Sequence, residues 1–99
     1  MPKSNDDAIR TLYRAVASLQ NEDECRAFFD DICTVKEIDA LARRLLVADA
    51  LSRGENYVDI NAHLGASTAT IGRVSRCLRL GDGGYNTVLS RMKGATNND

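Results

Sequence analysis

No uninterrupted apolar run in this 99-residue chain approaches the roughly 18 residues that a membrane-spanning helix requires, so no transmembrane span is expected. Residues Met1 to Asp7 are polar and lack the apolar centre of a signal peptide, which makes the expected location cytoplasmic. Cysteine is scarce, and Cys25, Cys33 and Cys77 form neither a CxxC pair nor a Cys/His ligand spacing. A disulfide framework and a zinc site are therefore excluded, and buried free thiols are expected. Histidine occurs once, at His63, with no Ser/His/Asp set, paired-carboxylate motif or phosphate loop to accompany it. That excludes the common enzyme chemistries, leaves no cofactor or metal motif, and assigns His63 to a partly exposed structural position. Internal repeats and low-complexity linkers are lacking too.

What is present is an uneven distribution of charge. The formal net charge is -1, but residues 1–39 carry nine acidic and five basic side chains, whereas residues 40–99 carry five acidic and eight basic. The positive charge sits in the second half, as a phosphate-binding surface requires. A chain this short removes only about two-thirds of its unfolded surface from water on folding, so self-association would help it.

The periodicity predicts a single all-α domain over 1–99. Ile9, Leu12, Tyr13, Val16 and Leu19 recur at helical spacing, Asn21 caps a second helix that begins with Glu22, Asp23 and Glu24, and Phe28, Phe29 and Ile32 form its apolar face. These N-terminal helices span about residues 6–32. Asp30 and Asp31 at their end oppose the helix dipole, which predicts a local cationic partner. Thr34 followed by Glu37 is a capping box, with Cys33 and Ile38 as its staple, and Gly54 is a C′ residue, which defines a central helix over 34–53. Ile38, Leu41, Leu45, Leu46, Val47 and Leu51 leave it little polar arc, so neighbours, some from a second subunit, are expected on most sides. Glycines 81, 83 and 84 break the chain before a last apolar pattern, Tyr85, Val88, Leu89 and Met92, whose helix is placed over 82–93, and a tail over 94–99 is expected to fray.

Residues 57–80 carry the functional signal. YVDINAHL, Gly65 and a second helix from Ser67 match a helix-turn-helix, in which a short helix braces one that enters the DNA major groove. Ile60, Leu64, Ile71, Val74 and Leu78 face inward, Gly65 permits a left-handed turn, and Ser67 caps. The opposite face presents Ala69, Gly72, Arg73 and Arg76, with Thr68 and Thr70 near the helix start. Small residues let a helix approach base edges, threonine offers a hydroxyl or methyl group, and arginine reaches phosphate or guanine. The same small residues would equally permit close helix packing and leave the arginines as a solvated face.

CTVKEIDALARRLLVADALSRGE followed by LGASTATIGRVSRCL resembles the Trp-repressor superfamily, and more closely its YerC/YecD branch, over roughly residues 33–80; FFDDICT extends the likeness toward the N-terminus. The resemblance implies an intertwined all-helical homodimer with two projecting helix-turn-helix heads, a double-stranded DNA partner, and a palindromic operator with half-sites roughly 34 Å apart. It places Thr68, Ala69 and Gly72 at base-facing positions. It also sets Thr34, Arg44 and Arg73 at positions that hold tryptophan in the repressor. Two departures argue against tryptophan control: Val74 stands where the repressor has a glycine against the indole, and Cys77 replaces a serine that holds the ligand's amino group. The link from Gly54-Glu55 to Gly65 is one residue shorter than in the repressor, and Asp59 and Asn61 fall near basic phosphate contacts of that protein. The expectation is a transcriptional regulator that does not depend on tryptophan. The alternative is a dimeric helical interaction module that keeps the shape without strong DNA affinity, favoured by the weak positive charge and Asp59.

Overall fold

Local side-chain chemistry sets most of the helix boundaries in the computed structural model, which describes residues 5–97. The described residues form six helices: α1 (Asn5–Ala17), α2 (Glu22–Ile32), α3 (Val35–Ser52), α4 (Tyr57–Leu64), α5 (Thr68–Leu80) and α6 (Gly84–Asn97). None of them is long and apolar enough to cross a membrane.

The chain divides into two compact units, Met1–Ile38 and Asp39–Asp99. In the first, the Asn21 side chain accepts a hydrogen bond from Glu24 N at 2.9 Å, while Glu24 Oε1 accepts from Gln20 N at 2.9 Å. Orphan amides at the start of α2 are thereby satisfied. Phe28 and Phe29 meet edge to face with ring centroids 5.6 Å apart. The capping box at Thr34 is formed: Thr34 N donates to Glu37 Oε1 at 2.8 Å and Glu37 N donates to Thr34 Oγ1 at 3.1 Å. These bonds, the one to the Thr34 backbone first, hold the Glu37 carboxyl below its ordinary pKa because they favour the ionised form.

In the second unit, α3 ends in a Schellman turn. Gly54 has φ +87°, its N–H donates to Leu51 O at 3.0 Å, and Glu55 N donates to Ala50 O at 3.1 Å. Asn56 caps α4 through Asp59 N, and Ser67 caps α5 through Thr70 N. The core joins Val47, Ala48 and Ala50 of α3 with Ile60 of α4, Ala66 of the turn, and Ile71 and Val74 of α5. Leu51, Leu64, Leu78, Tyr85 and Leu89 pack around it, which ties α6 to the same nucleus. Each fully buried valine or isoleucine contributes about 1.5–3 kcal/mol of transfer free energy.

Four expectations are corrected. The last helix starts at Gly84 rather than 82, because Gly83 takes φ +84° and its carbonyl accepts the first helical bond, from Thr87 N. It also runs through Gly94 to Asn97, where a frayed tail was expected; a helical glycine costs about 1 kcal/mol relative to alanine, too little by itself to end a helix. The expected tail beyond Asn97 lies outside the described residues. Cys25, Cys33 and Cys77 are half-buried rather than buried. Among the described residues, neither Asp30 nor Asp31 has a cationic side chain within ion-pair distance, so the partner expected for them does not appear there.

Candidate nucleic-acid interface

Helices α4 and α5 are joined by three residues, Gly65 to Ala66 to Ser67, and the sequence of that turn decides which side of α5 is left outward. Gly65 adopts φ +66°, a left-handed conformation that side chains with a Cβ rarely take, and its N–H closes α4 on Asn61 O. Ala66 is buried and anchors the turn in the core. Ser67 Oγ then accepts from Thr70 N at 3.1 Å, and the Ser67 hydroxyl donates to Thr70 Oγ1 at 3.0 Å.

With Ile71 and Val74 pulled fully into the core and Leu78 packed against it, the opposite side of α5 falls outward. Ser67, Thr68, Ala69, Arg73 and Arg76 are exposed, and Thr70 and Gly72 are half-buried. Among the described residues, no heavy atom outside the helix's own backbone lies within 4 Å of where a Cβ on Gly72 would sit, so none of them packs against that point. Small residues there are not demanded by a neighbouring helix of this chain.

The charge on this face is uncommitted. Among the described residues the ion pairs are Arg43–Asp39, Arg53–Asp49, Arg53–Glu55 and His63–Glu55, and none involves Arg73 or Arg76. The first turn of α5 contains no acidic residue, so the partial positive charge of its N-terminus is not neutralised within the helix. Exposed guanidinium groups on a helix whose first turn carries no acidic residue make a surface able to hold an anion.

Several polar ties behind this face were not anticipated. Arg43 Nη1 donates to the Leu64 carbonyl at the end of α4, while Arg43 Nη2 pairs with Asp39 Oδ2 at 3.2 Å. Asn61, which falls near a basic phosphate contact of the Trp repressor by resemblance, donates from Nδ2 to Ala66 O at 2.7 Å. His63 Nε2 lies 2.6 Å from Glu55 Oε1, and Arg53 bridges Glu55 to Asp49. Only the Asp39/Arg43 and Asp49/Arg53 pairs had a signal in the sequence, an acid four residues before a base on one helix.

A family model for the Trp repressor protein matches residues 7–93. The chain belongs to the Trp repressor family. It is 49% identical over 82 residues to the uncharacterized protein YerC of Bacillus subtilis (strain 168), which covers 83% of this chain and 79% of YerC. The crystal structure of a candidate Trp repressor from Staphylococcus aureus matches with a TM-score of 0.82 at 46% identity, over 87% of this chain and 86% of that one. A TrpR-like protein from Eubacterium eligens ATCC 27750 matches with a TM-score of 0.83 at 43% identity, over 92% of each chain. The fold is thus the all-α Trp-repressor fold, and the chain is a YerC-type member of a family of DNA-binding regulators.

The positions that this family suggests for a ligand are differently placed. Thr34 is exposed and its hydroxyl is engaged in the α3 capping box. Arg44 and Cys77 are half-buried, and Arg73 is exposed. Val74 is only 1% exposed, its side chain packed in the core with Val47, Ile60 and Ile71. An open groove of about 540 Å³, lined by residues that include Leu45, Leu46, Asp49, Arg53, Leu89 and Met92, has none of Thr34, Arg44, Arg73 or Cys77 in its wall.

Proposed function

We propose that this chain is a sequence-specific DNA-binding transcriptional regulator, acting as a repressor from a palindromic operator. The observation that carries the reading is the outward face of α5, on which Arg73 and Arg76 stand exposed and unpaired among the described residues, on a helix whose first turn has no acidic side chain. In this reading Ser67, Thr68 and Thr70 approach phosphate and base edges at the helix start, Ala69 and Gly72 allow close approach, and the two arginines take phosphate or guanine.

The acting form is a homodimer. In support, α1 and α2 contribute no buried residue in the single chain, and Ile9, Leu12 and Tyr13 lie exposed along α1. On α3, expected to be enclosed on most sides, Leu41 and Leu46 are 46% and 52% exposed. Apolar surface of this extent is normally covered by a partner. The regulator works without tryptophan, because Val74 is packed into the core where an indole would need room and Cys77 is a weak hydrogen-bond partner. The exposed Tyr57 and Val58, next to Asp59 on α4, favour the second reading, a dimeric helical interaction module.

Selection of bound duplexes from random DNA separates the two. Recovery of a palindrome is expected; recovery of no common sequence overturns specific DNA binding in favour of the module. Combined Arg73→Ala and Arg76→Ala should flatten the salt dependence of binding by about 0.9 in log-log slope for each phosphate contact removed. Calorimetric titration with tryptophan should show no binding at micromolar concentration, and a micromolar response would refute the tryptophan-independent assignment.

A further inference from the structure

The carbonyl of Leu64 is one of those that a helix C-terminus leaves without an intrahelical partner. Here it accepts a hydrogen bond from Arg43 Nη1, on a side chain 21 residues earlier in α3. The other arm of the same guanidinium, Nη2, is held by Asp39 at 3.2 Å to Oδ2 and 3.5 Å to Oδ1. The guanidinium also lies against the turn itself: a Cβ built on Gly65 would come to 3.6 Å from Arg43 Nη1. On the far side of the turn, Asn61 holds the Ala66 carbonyl. The Asn61 tie is local, within five residues, and moves with α4. The Arg43 tie joins the turn to α3, which supplies Val47, Ala48 and Ala50 to the core.

We propose that Arg43, held by Asp39, is a positioning residue for base reading: it locks the end of α4 to α3 and so fixes the direction in which α5 leaves the turn. The proposal rests on the DNA-binding reading given above. Both arms of the fork are needed, and lysine, with one nitrogen on a flexible stem, does not reproduce the pair of planar contacts. The Arg43 side chain is 40% exposed, where an ion pair contributes little to global stability, so the consequence is geometric. Phosphate contacts tolerate a small tilt of α5, and base-edge hydrogen bonds do not.

The test compares wild type with Arg43→Lys, which keeps the charge, and Arg43→Gln, with thermal unfolding confirming that each variant is folded. Affinity is measured for the duplex recovered by selection and for a scrambled duplex of equal length and composition at low salt. Hydrogen exchange of the Gly65 amide is followed in the free protein. Both variants should lose about tenfold affinity for the selected duplex, the size of one lost base contact, with Arg43→Lys within twofold of wild type on the scrambled one and Gly65 exchange accelerated. An equal loss by Arg43→Lys on both duplexes, or a loss on neither, overturns the proposal. Wild-type protein that fails to distinguish the duplexes overturns the DNA-binding reading and this inference with it; accelerated Gly65 exchange in the variants would then show the clamp present but serving another purpose.

Discussion

Gly72 lies in the middle of α5 with helical backbone geometry, and an added Cβ would meet nothing within 4 Å beyond the helix itself. Glycine at such a position costs roughly 0.5–1 kcal/mol relative to alanine, because the unfolded chain loses more freedom on folding. Gly72→Ala should therefore stabilise the protein by about that amount. For a domain of this size, roughly 4–8 °C per kcal/mol translates the gain into an increase of about 2–8 °C in Tm. If α5 meets base edges at this point, the same methyl group intrudes on the DNA, and affinity for the selected duplex should fall by about tenfold, or 1.4 kcal/mol. Thermal unfolding and equilibrium binding at matched protein concentration read the two effects separately, the matching being necessary because dimer stability depends on concentration. A variant that is more stable and binds equally well refutes the contact at Gly72. A variant that is less stable refutes the reasoning about empty space around it.

Gly65→Ala should act in the opposite sense, destabilising by about 1–2 kcal/mol, since φ is +66° and the nearest atom, at 3.6 Å, is an ordinary contact that leaves only the backbone penalty; denaturant titration measures it. Ile71→Ala removes a fully buried core side chain and should cost about 2–5 kcal/mol, visible as a lower denaturation midpoint. For Glu37, whose carboxyl is held below its ordinary pKa in the folded state, the stabilisation is complete above the ordinary glutamate value, about 4.3, and is lost as pH falls through the lowered one. Compared with Glu37→Gln, which cannot titrate, the wild type should lose its advantage in thermal stability over that acid range, and an advantage unchanged by acid would contradict the assignment.

Short-range chemistry was legible in the sequence because its partners are three or four residues apart. Asn21, Thr34 with Glu37, and Ser67 were each read as caps, and each makes the expected bond to a nearby amide. Gly54 and Gly65 were read as left-handed closures from their place after an apolar helical pattern, and both have positive φ. The inward set Ile60, Ile71 and Val74 followed from periodicity, and with it the identity of the outward face of α5. Helix α6 was less legible, since its start depends on the φ of Gly83 and its end on helical propensity too weak to punctuate the chain.

The sequence by itself determined the helical order, the caps at Asn21, Thr34 and Ser67, the family to which the chain belongs and the residues that α5 turns outward, because helical period and capping are local. Only the tertiary structure decided what holds that helix in place. Arg43 reaches the Leu64 carbonyl across 21 residues, and Glu55 gathers His63 and Arg53 where α3 gives way to α4. Such contacts arise when separate helices pack on one core, and no spacing in the chain encodes the distance between a guanidinium and a distant carbonyl. The half-burial of the three cysteines and the exposure of Leu41 and Leu46 were settled in the same way, since burial belongs to the packed assembly of helices and not to a residue's own hydrophobicity.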